Sequence, residues 1–99
     1  MSRKYSIDSV DSNHTEIVDT FRSLGCIVTS TTCVKRFCDM VVAYKGLYLL
    51  VEVKDGEKPP SQRKLTPKEQ EYHLEVASVG CKVHIIKSNK EAINLIKSI

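Results

Sequence analysis

Apolar side chains change their spacing several times along the chain, and each change marks the border of a predicted element. The first helical repeat consists of Ile17, Val18, Phe21 and Leu24. Residues 13–16 have the spacing of a capping box and Gly25 is a typical helix end, so a first helix is predicted between them. Residues 26–30 favour a strand, and residues 31–38 form a polar connection without regular periodicity.

The centre of the chain carries two apolar, strand-favouring runs on either side of Lys45-Gly46. A short interruption that contains glycine is typical of a β-hairpin, although Lys-Gly is a weaker turn signal than Asn-Gly. A two-residue loop at these positions pairs Asp39 directly with Glu52. A three-residue loop would instead place Asp39 opposite Val51 and turn Glu52 to the other face of the sheet. The pattern alone leaves both registers open.

Both faces of the predicted hairpin are apolar, from Met40 to Tyr44 and from Leu47 to Val53. Strands of this kind are usually covered on both faces, as in a sheet between two layers of helices. Charged side chains at the end of such strands lose part of their hydration, and this loss requires a partner or a function.

A second helix is predicted after the hairpin. The loop at residues 57–64 contains two adjacent prolines, which exclude a regular helix or a central strand there. Thr66 is then the expected cap, Pro67 the first helical residue and Glu69 the partner in a capping box. The helix is expected to continue to about residue 78.

A short strand at residues 82–86 and a final helix capped at residues 88–91 complete the predicted order, α-β-β-β-α-β-α. A strand that crosses over through a helix to the next strand favours a right-handed parallel βαβ unit. The expected fold class is therefore α/β, with one mixed sheet flanked by helices on both sides. The length of 99 residues fits a single domain over 1–99, in which residues 1–11 are expected to form a loose N-terminal segment.

Three charged residues meet at the end of the hairpin if the loop has two residues. Asp39 and Glu52 then face each other with Cβ atoms about 4.5–5.5 Å apart, and Lys54 lies two residues further on the same face. Two carboxylates this close repel unless a positive charge lies between them, and a hard divalent cation prefers such oxygen ligands. The alternative interpretation is a Glu-x-Lys pair on a solvated strand face. The apolar surroundings favour a catalytic site.

The spacing from Asp39 to Glu52-Val53-Lys54 resembles the Asp…(Asp/Glu)-x-Lys motif of the PD-(D/E)XK nuclease superfamily. The longer stretch from Leu49 to Gln70 resembles the VRR-NUC and Holliday-junction-resolvase-like branch of small phage and bacterial nucleases, in which a glutamine follows on the next helix. The resemblance extends from the first helix to the last strand. The chain departs from it at Cys38, where the family usually has a proline that shapes the loop.

The resemblance implies a restriction-endonuclease-like domain that uses Mg²⁺, with Mn²⁺ able to substitute. It implies that Asp39 and Glu52 hold the metal, with the backbone carbonyl of Val53 as a further ligand. Lys54 would orient or help to deprotonate the attacking water, or would neutralise charge on the phosphoryl group. Gln70 would reach back towards Lys54 as a neutral hydrogen-bonding residue.

Glu16 on the first helix is the predicted fourth metal ligand, because related junction resolvases carry an acidic residue in that region. Its place in a capping box with Asn13 explains it equally well. Asp55 directly follows Lys54, points to the other face and is expected to be a turn residue.

Basic residues beside the predicted site offer contacts for a DNA backbone. Around the start of the second helix, whose N-terminus adds partial positive charge, lie Lys58, Arg63, Lys64 and Lys68. Glu57 and Glu69 dilute this cluster, and the net charge of +3 permits nucleic-acid binding without requiring it. Such contacts bind phosphates irrespective of sequence. The sequence shows no aromatic-rich stretch, which favours recognition of backbone or shape over base stacking.

The cysteines and histidines do not have the spacing of common metal sites. The four cysteines lack Cys-x-x-Cys pairs, so free thiols in a reducing compartment are expected rather than a zinc site. His73 lies one turn after Gln70 and is placed to approach the predicted site. No run approaches the roughly 20 apolar residues of a membrane span, and the start lacks a signal-peptide core. The expected location is the cytoplasm of a bacterial or phage-infected host cell.

The sequence therefore predicts a Mg²⁺-dependent endodeoxyribonuclease that is selective for DNA structure, with a Holliday junction or a flap as its branched substrate. Because resolving a four-way junction takes two symmetric cuts, a homodimer with twofold symmetry is expected. One alternative is a catalytically silent nucleic-acid-binding module, against which the intact Asp39, Glu52 and Lys54 argue. Another is a nuclease subunit that depends on a partner such as a helicase or a second nuclease.

Overall fold

Four strands and three helices form the part of the chain that the computed structural model describes, residues 12–99. The expected loose segment at residues 1–11 lies outside these residues. In chain order the elements are α1 (His14–Ser23), β1 (Ile27–Ser30), β2 (Met40–Tyr44), β3 (Leu47–Val53), a 3₁₀ turn (Pro60–Gln62), α2 (Pro67–Ala77), β4 (Val83–Ile86) and α3 (Asn89–Lys97). The predicted order of helices and strands is confirmed.

The strands form one mixed sheet in the order β1-β2-β3-β4. The first three strands are antiparallel neighbours, and β4 lies parallel to β3 after the crossover through α2. The predicted parallel pairing of the last two strands is therefore present, since a helix brings the chain back to start β4 beside β3.

The hairpin between β2 and β3 adopts the two-residue loop. Tyr44 pairs with Leu47 and Met40 pairs with Val51, so the next step outward places Asp39 opposite Glu52. Lys45 and Gly46 have φ values of 47° and 82°. Positive φ at both central residues is the geometry of a type I′ turn, whose twist matches that of the flanking strands. Of the two registers that the sequence left open, this is the one that brings the carboxylates together.

One face of the sheet forms the hydrophobic core with α1 and α3. From the sheet it contains Val28, Met40, Val42, Val51, Val53 and Ile86. The helices contribute Ile17 and Phe21 from α1, and Ala92 and Ile96 from α3. Ile17, Phe21, Met40, Val42, Val51 and Ala92 are completely buried. This core fixes the ends of β2 and β3 that carry Asp39 and Glu52.

The predicted helices on both sides of the sheet are present, and α2 covers only part of the opposite face. Tyr48 is 80% exposed and Ile27 is 71% exposed, near the turn end of the hairpin. Helix α2 lies at the other end of this face, where His73 approaches Glu52. The reason is that α2 connects β3 to β4, so that among the described residues no helix lies over β1 and the turn on this face.

Two of the three predicted helix caps are present. Thr66 and Glu69 form a complete capping box at the start of α2, and the Ser88 hydroxyl accepts a hydrogen bond from the Glu91 backbone N–H. The predicted capping box between Asn13 and Glu16 is wrong, because no side chain caps α1. The Asn13 amide instead donates to the carbonyls of Lys54 and Lys87, at 3.2 Å each. Asn13 thereby ties the start of α1 to the ends of β3 and β4.

No helix within residues 12–99 is both long and apolar enough to cross a membrane. The four cysteines are free thiols, of which Cys26 and Cys38 are buried and Cys33 and Cys81 are exposed.

Candidate active site

The carboxyl groups of Asp39 and Glu52 lie side by side where β2 begins and β3 ends. The Asp39 backbone N–H donates to the Val51 carbonyl at 3.0 Å, which continues the pairing of the two strands beyond Met40. Asp39 Oδ2 accepts a hydrogen bond from the Val53 backbone N–H at 2.7 Å. The Glu52 side chain is 3% exposed. The register and these hydrogen bonds therefore hold two carboxyl groups together in a site that has lost most of its water.

This proximity has a strong effect on ionisation. Burial, followed by the neighbouring Asp39, raises the pKa of Glu52 to about 10. Burial also raises the pKa of Asp39, although the Val53 N–H and the charge of His14 act in the opposite direction. Without a cation the pair therefore retains a proton at neutral pH, because two adjacent carboxylates in a dry site cannot both ionise.

A hard divalent cation fits this donor set, because it would compensate both carboxylates in place of the proton. No group of three or more His, Cys, Asp or Glu side chains within residues 12–99 is arranged to hold a metal ion. The protein would thus supply two carboxylates, and backbone oxygen or water would complete the shell. Mg²⁺ is commonly bound in this way, by one or two carboxylates with several retained waters.

Lys54 is buried next to the carboxyl pair, and Glu69 fixes its position. Its side chain is 11% exposed, and Nζ lies 2.8 Å from Glu69 Oε1. The burial of Glu69 acts to raise its pKa, but the hydrogen bonds from Lys54 and Thr66 outweigh this and the pKa is lowered. Glu69 is thus a carboxylate that keeps the ammonium group of Lys54 at the site.

Sequence reasoning assigned Glu69 to the capping box and to the surroundings of the basic cluster, and missed its contact with Lys54. Both functions use the same atom, since Glu69 Oε1 also accepts from the Thr66 backbone N–H at 2.8 Å. The available signal was an apolar strand that ends in a lysine and is followed by a helix with an acidic residue in its first turn.

His73 approaches the same site from α2, as the sequence suggested. Its Nε2 lies 3.4 Å from Glu52 Oε1. Burial lowers the pKa of His73 and the nearby Lys54 acts in the same direction, while the charge of Glu69 opposes them without reversing the shift. The imidazole is therefore neutral at physiological pH and contacts the protonated Glu52 as a hydrogen-bonding group.

Gln70 does not make the predicted contact with Lys54. Its side chain is exposed, and its Nε2 lies 3.4 Å from the Leu65 carbonyl to which it donates. Successive helix residues are rotated by about 100°, so the face of α2 that carries Glu69 and His73 turns Gln70 away from the site. Glu69 takes the position at Lys54 that Gln70 was expected to occupy.

Glu16 also lies apart from the carboxyl pair. Its Oε1 accepts from Asn89 Nδ2 at 3.1 Å, and it lines a second depression together with Asp55 and Glu57. The α1 residue that acts on the site is His14, which is buried and whose charge affects Asp39. The structure therefore brings together Asp39, Glu52 and Lys54, while Glu16 and Gln70 point elsewhere.

A cleft of about 180 Å³ opens beside the carboxyl pair, between the connection at residues 31–38 and helix α2. Both polar and apolar side chains line it: Thr32, Val34, Arg36, Phe37, Cys38, Asp39, Glu52, Lys68, Glu69 and Tyr72.

The predicted basic cluster is spread over a wider surface than this cleft. Lys68 lines the cleft and Lys64 is exposed. Arg63 Nη1 donates to the Gly56 carbonyl at 2.6 Å, and the backbone N–H of Lys58 donates to the Asp55 carbonyl. Arg36, from the connection before β2, adds a second cationic group to the cleft wall.

Comparison with known proteins bears on the fold. No protein-family model matches the chain, and no curated protein matches it. A solved structure described as a "VRR_NUC domain" is similar to it, with a TM-score of 0.64 and 23% sequence identity. The similarity covers 88% of this chain and 97% of that domain. The predicted fold class is confirmed: this chain has the fold of a VRR_NUC domain.

Proposed function

We propose that this protein is a metal-dependent endonuclease that hydrolyses phosphodiester bonds in DNA. The observation that carries the proposal is the pairing of Asp39 with Glu52 across the hairpin end, with the buried Lys54 on the same face. A carboxyl pair in which burial and mutual repulsion keep a proton at neutral pH is poised to exchange that proton for a cation. The nuclease description of the structurally similar domain agrees with this chemistry.

Asp39 and Glu52 would hold Mg²⁺, or Mn²⁺ in its place, and the Val53 carbonyl is a proposed further ligand. The bound cation would supply an activated water and stabilise negative charge on the phosphate. The Val53 N–H orients Asp39, because it occupies Oδ2 and leaves the other oxygen for a ligand. His73 orients Glu52 in a similar way, through its contact with Oε1.

Lys54 would act on the phosphate or on the attacking water through its ammonium group. Its burial strengthens this action, since a charge in a site of low dielectric acts more strongly than a hydrated one. Glu69 holds the Lys54 ammonium group in place at 2.8 Å, so Glu69 is a positioning residue. Catalytic involvement of Gln70 and metal binding by Glu16 stay predictions, because neither contacts the pair here.

Branched DNA is the proposed substrate. The cleft offers Arg36 and Lys68 to phosphates, and Lys58, Arg63 and Lys64 would extend this contact along a strand. Contacts of this kind bind without reading sequence. A chain of 99 residues has little surface for sequence recognition, which favours selection by shape. Two symmetric cuts in a four-way junction require a homodimer, and a helicase or another nuclease is a further proposed partner.

Cleavage of labelled four-way junction, flap and linear duplex in Mg²⁺, Mn²⁺ or EDTA tests the proposal. We expect metal-dependent cleavage that Asp39→Asn and Lys54→Ala abolish while junction binding is kept. Lys97→Ala, at the exposed end of α3, is the matched control and should leave the rate unchanged. Light scattering of the protein with and without junction DNA reports whether two copies assemble.

Junction binding without cleavage under every metal condition would contradict the proposal and support a silent binding module. Cleavage that appears only when a helicase or second nuclease is added would support the partner-dependent subunit.

A further inference from the structure

An aromatic pair lies in the wall of the active-site cleft. Phe37 and Tyr72 have ring centroids 5.9 Å apart and ring planes at 78°. The residues are 35 positions apart in the sequence, and the fold brings them together from the connection before β2 and from α2. Spacing along the chain therefore did not indicate an aromatic surface. Both rings line the cleft that also contains Asp39 and Glu52.

The cleft has more apolar surface than the binding of a phosphate alone would explain. Val34, which is 50% exposed, extends the apolar wall formed by Phe37 and Tyr72. A phosphate bound at the carboxyl pair would be stabilised by cations and polar groups. An aromatic wall directly beside it instead suits a flat, apolar group that is attached to the phosphate, and in DNA that group is the base.

Two cationic side chains, Arg36 and Lys68, line the same cleft. Arg36 Nη2 lies 3.3 Å from Glu71 Oε1, but both side chains are more than half exposed, so this pair is weak and the guanidinium can exchange partners. Lys68 lies on α2 at the edge of the cleft. The cleft therefore combines an aromatic surface with the carboxyl pair and two cationic side chains, which suit the base and the phosphates of a nucleotide.

We propose that Phe37 and Tyr72 form a subsite for one unstacked base next to the phosphate held at Asp39 and Glu52. The inference deepens the proposed nuclease function and rests on it, because it names the substrate class. Inside continuous duplex both faces of a base are covered by its neighbours, so the base must leave the stack before it can contact an aromatic side chain. Unstacking is least costly for a base that is already unpaired. The enzyme therefore cuts beside an unpaired nucleotide at a branch or flap.

A pair of substrates tests the subsite without relying on any variant. Both are the same flap DNA with one unpaired nucleotide at the branch, which carries a base in one substrate and an abasic sugar in the other. Binding is measured by fluorescence anisotropy in Ca²⁺. We expect the wild-type protein to bind the base-bearing DNA about fivefold or more tightly than the abasic DNA, as one stacked base would contribute.

Variants assign this difference to the aromatic pair. Tyr72→Ala should reduce the preference for the base-bearing DNA to about onefold, Tyr72→Phe should keep it because the ring remains, and Phe37→Leu should weaken it. The matched control is Tyr48→Ala, which removes an exposed aromatic ring from the uncovered face of the sheet. Circular dichroism confirms that each variant is folded.

Equal affinity of the wild-type protein for both DNAs, or a Tyr72→Ala variant that keeps the preference, would overturn the inference. Metal-dependent cleavage of continuous duplex as fast as flap DNA would do the same and leave the nuclease proposal intact. A base preference without cleavage of any substrate would refute the nuclease and retain the base subsite. The two proposals therefore fail in different measurements.

Discussion

Lys54 Nζ lies 2.8 Å from Glu69 Oε1, and this contact joins the end of β3 to the first turn of α2 across 15 residues of sequence. The same oxygen also accepts the backbone N–H of Thr66 at 2.8 Å. One carboxylate thus caps a helix and positions the proposed catalytic ammonium group, so the start of α2 cannot shift without moving Lys54.

Replacing Glu69 separates these two functions. Glu69→Gln retains an oxygen for the Thr66 N–H but removes the charge beside Lys54, so cleavage should fall about tenfold or more while the melting temperature changes little. Glu69→Ala loses the cap as well and should cost about a further 1 kcal/mol of unfolding free energy. Glu75→Gln, an exposed carboxylate on the same helix, is the control. Unchanged cleavage rates in Glu69→Gln would show that Lys54 needs no positioning carboxylate.

The pKa of Glu52 predicts how stability changes with pH when metal is absent. Burial and then Asp39 raise this pKa from 4.5 to about 10 in the folded chain. Between these values the folded state binds more protons than the unfolded state, so the free energy of unfolding falls as pH rises. The contribution is complete below about pH 4.5 and is lost as pH rises through about 10.

Thermal melts in EDTA at about pH 6 and about pH 9 measure this effect. Glu52→Gln cannot ionise and should lose less stability over that interval than the wild-type chain. Mg²⁺ should also reduce the loss, because it favours the ionised pair. A wild-type protein whose stability in EDTA falls no more steeply than that of Glu52→Gln would contradict the predicted ionisation.

Asn13→Ala should destabilise the fold by about 1–3 kcal/mol, because it removes the hydrogen bonds that the Asn13 amide donates to the Lys54 and Lys87 carbonyls, although the Lys87 carbonyl keeps its bond from the Gly56 N–H. Urea denaturation gives the magnitude. Asn94→Ala, at an exposed position of α3, is expected to leave stability unchanged or slightly raised. Equal stabilities of the two variants would mean that Asn13 contributes no more than an exposed asparagine.

The hairpin turn is sensitive to its backbone geometry. Gly46 has φ 82°, and no atom lies within 4 Å of a Cβ added there, so Gly46→Ala should cost about 1–2 kcal/mol through conformation alone. Asparagine tolerates positive φ, and Lys45→Asn should therefore keep or raise the melting temperature although it removes the contact with the Tyr44 ring. A higher melting temperature for Gly46→Ala than for the wild-type chain would argue against the type I′ turn.

The sequence predicts best where a residue's neighbours along the chain decide its environment. The order of elements, the Thr66–Glu69 cap and the two alternatives for the hairpin all follow from local spacing. The choice between the registers needed the structure, because both faces of the hairpin are apolar and a shift by one residue is not penalised by the pattern.

Contacts between segments that are far apart along the chain could not be predicted from the sequence. Resemblance pointed to Gln70, whereas the face of α2 that meets the site carries Glu69 and His73. The rotation of a helix about its axis depends on packing that spacing does not specify. The pairing of Phe37 with Tyr72 depends in addition on the path of the irregular connection before β2.

Five residue pairs separate the turn from the site, from Tyr44–Leu47 to Met40–Val51, and Asp39 and Glu52 follow as the sixth. Insertions or deletions in this hairpin therefore preserve the carboxyl pair only when both strands lengthen or shorten together. A single added residue on one strand would separate the two acids without touching either of them. Among relatives that keep the chemistry, changes in the length of this segment should accordingly come in matched pairs.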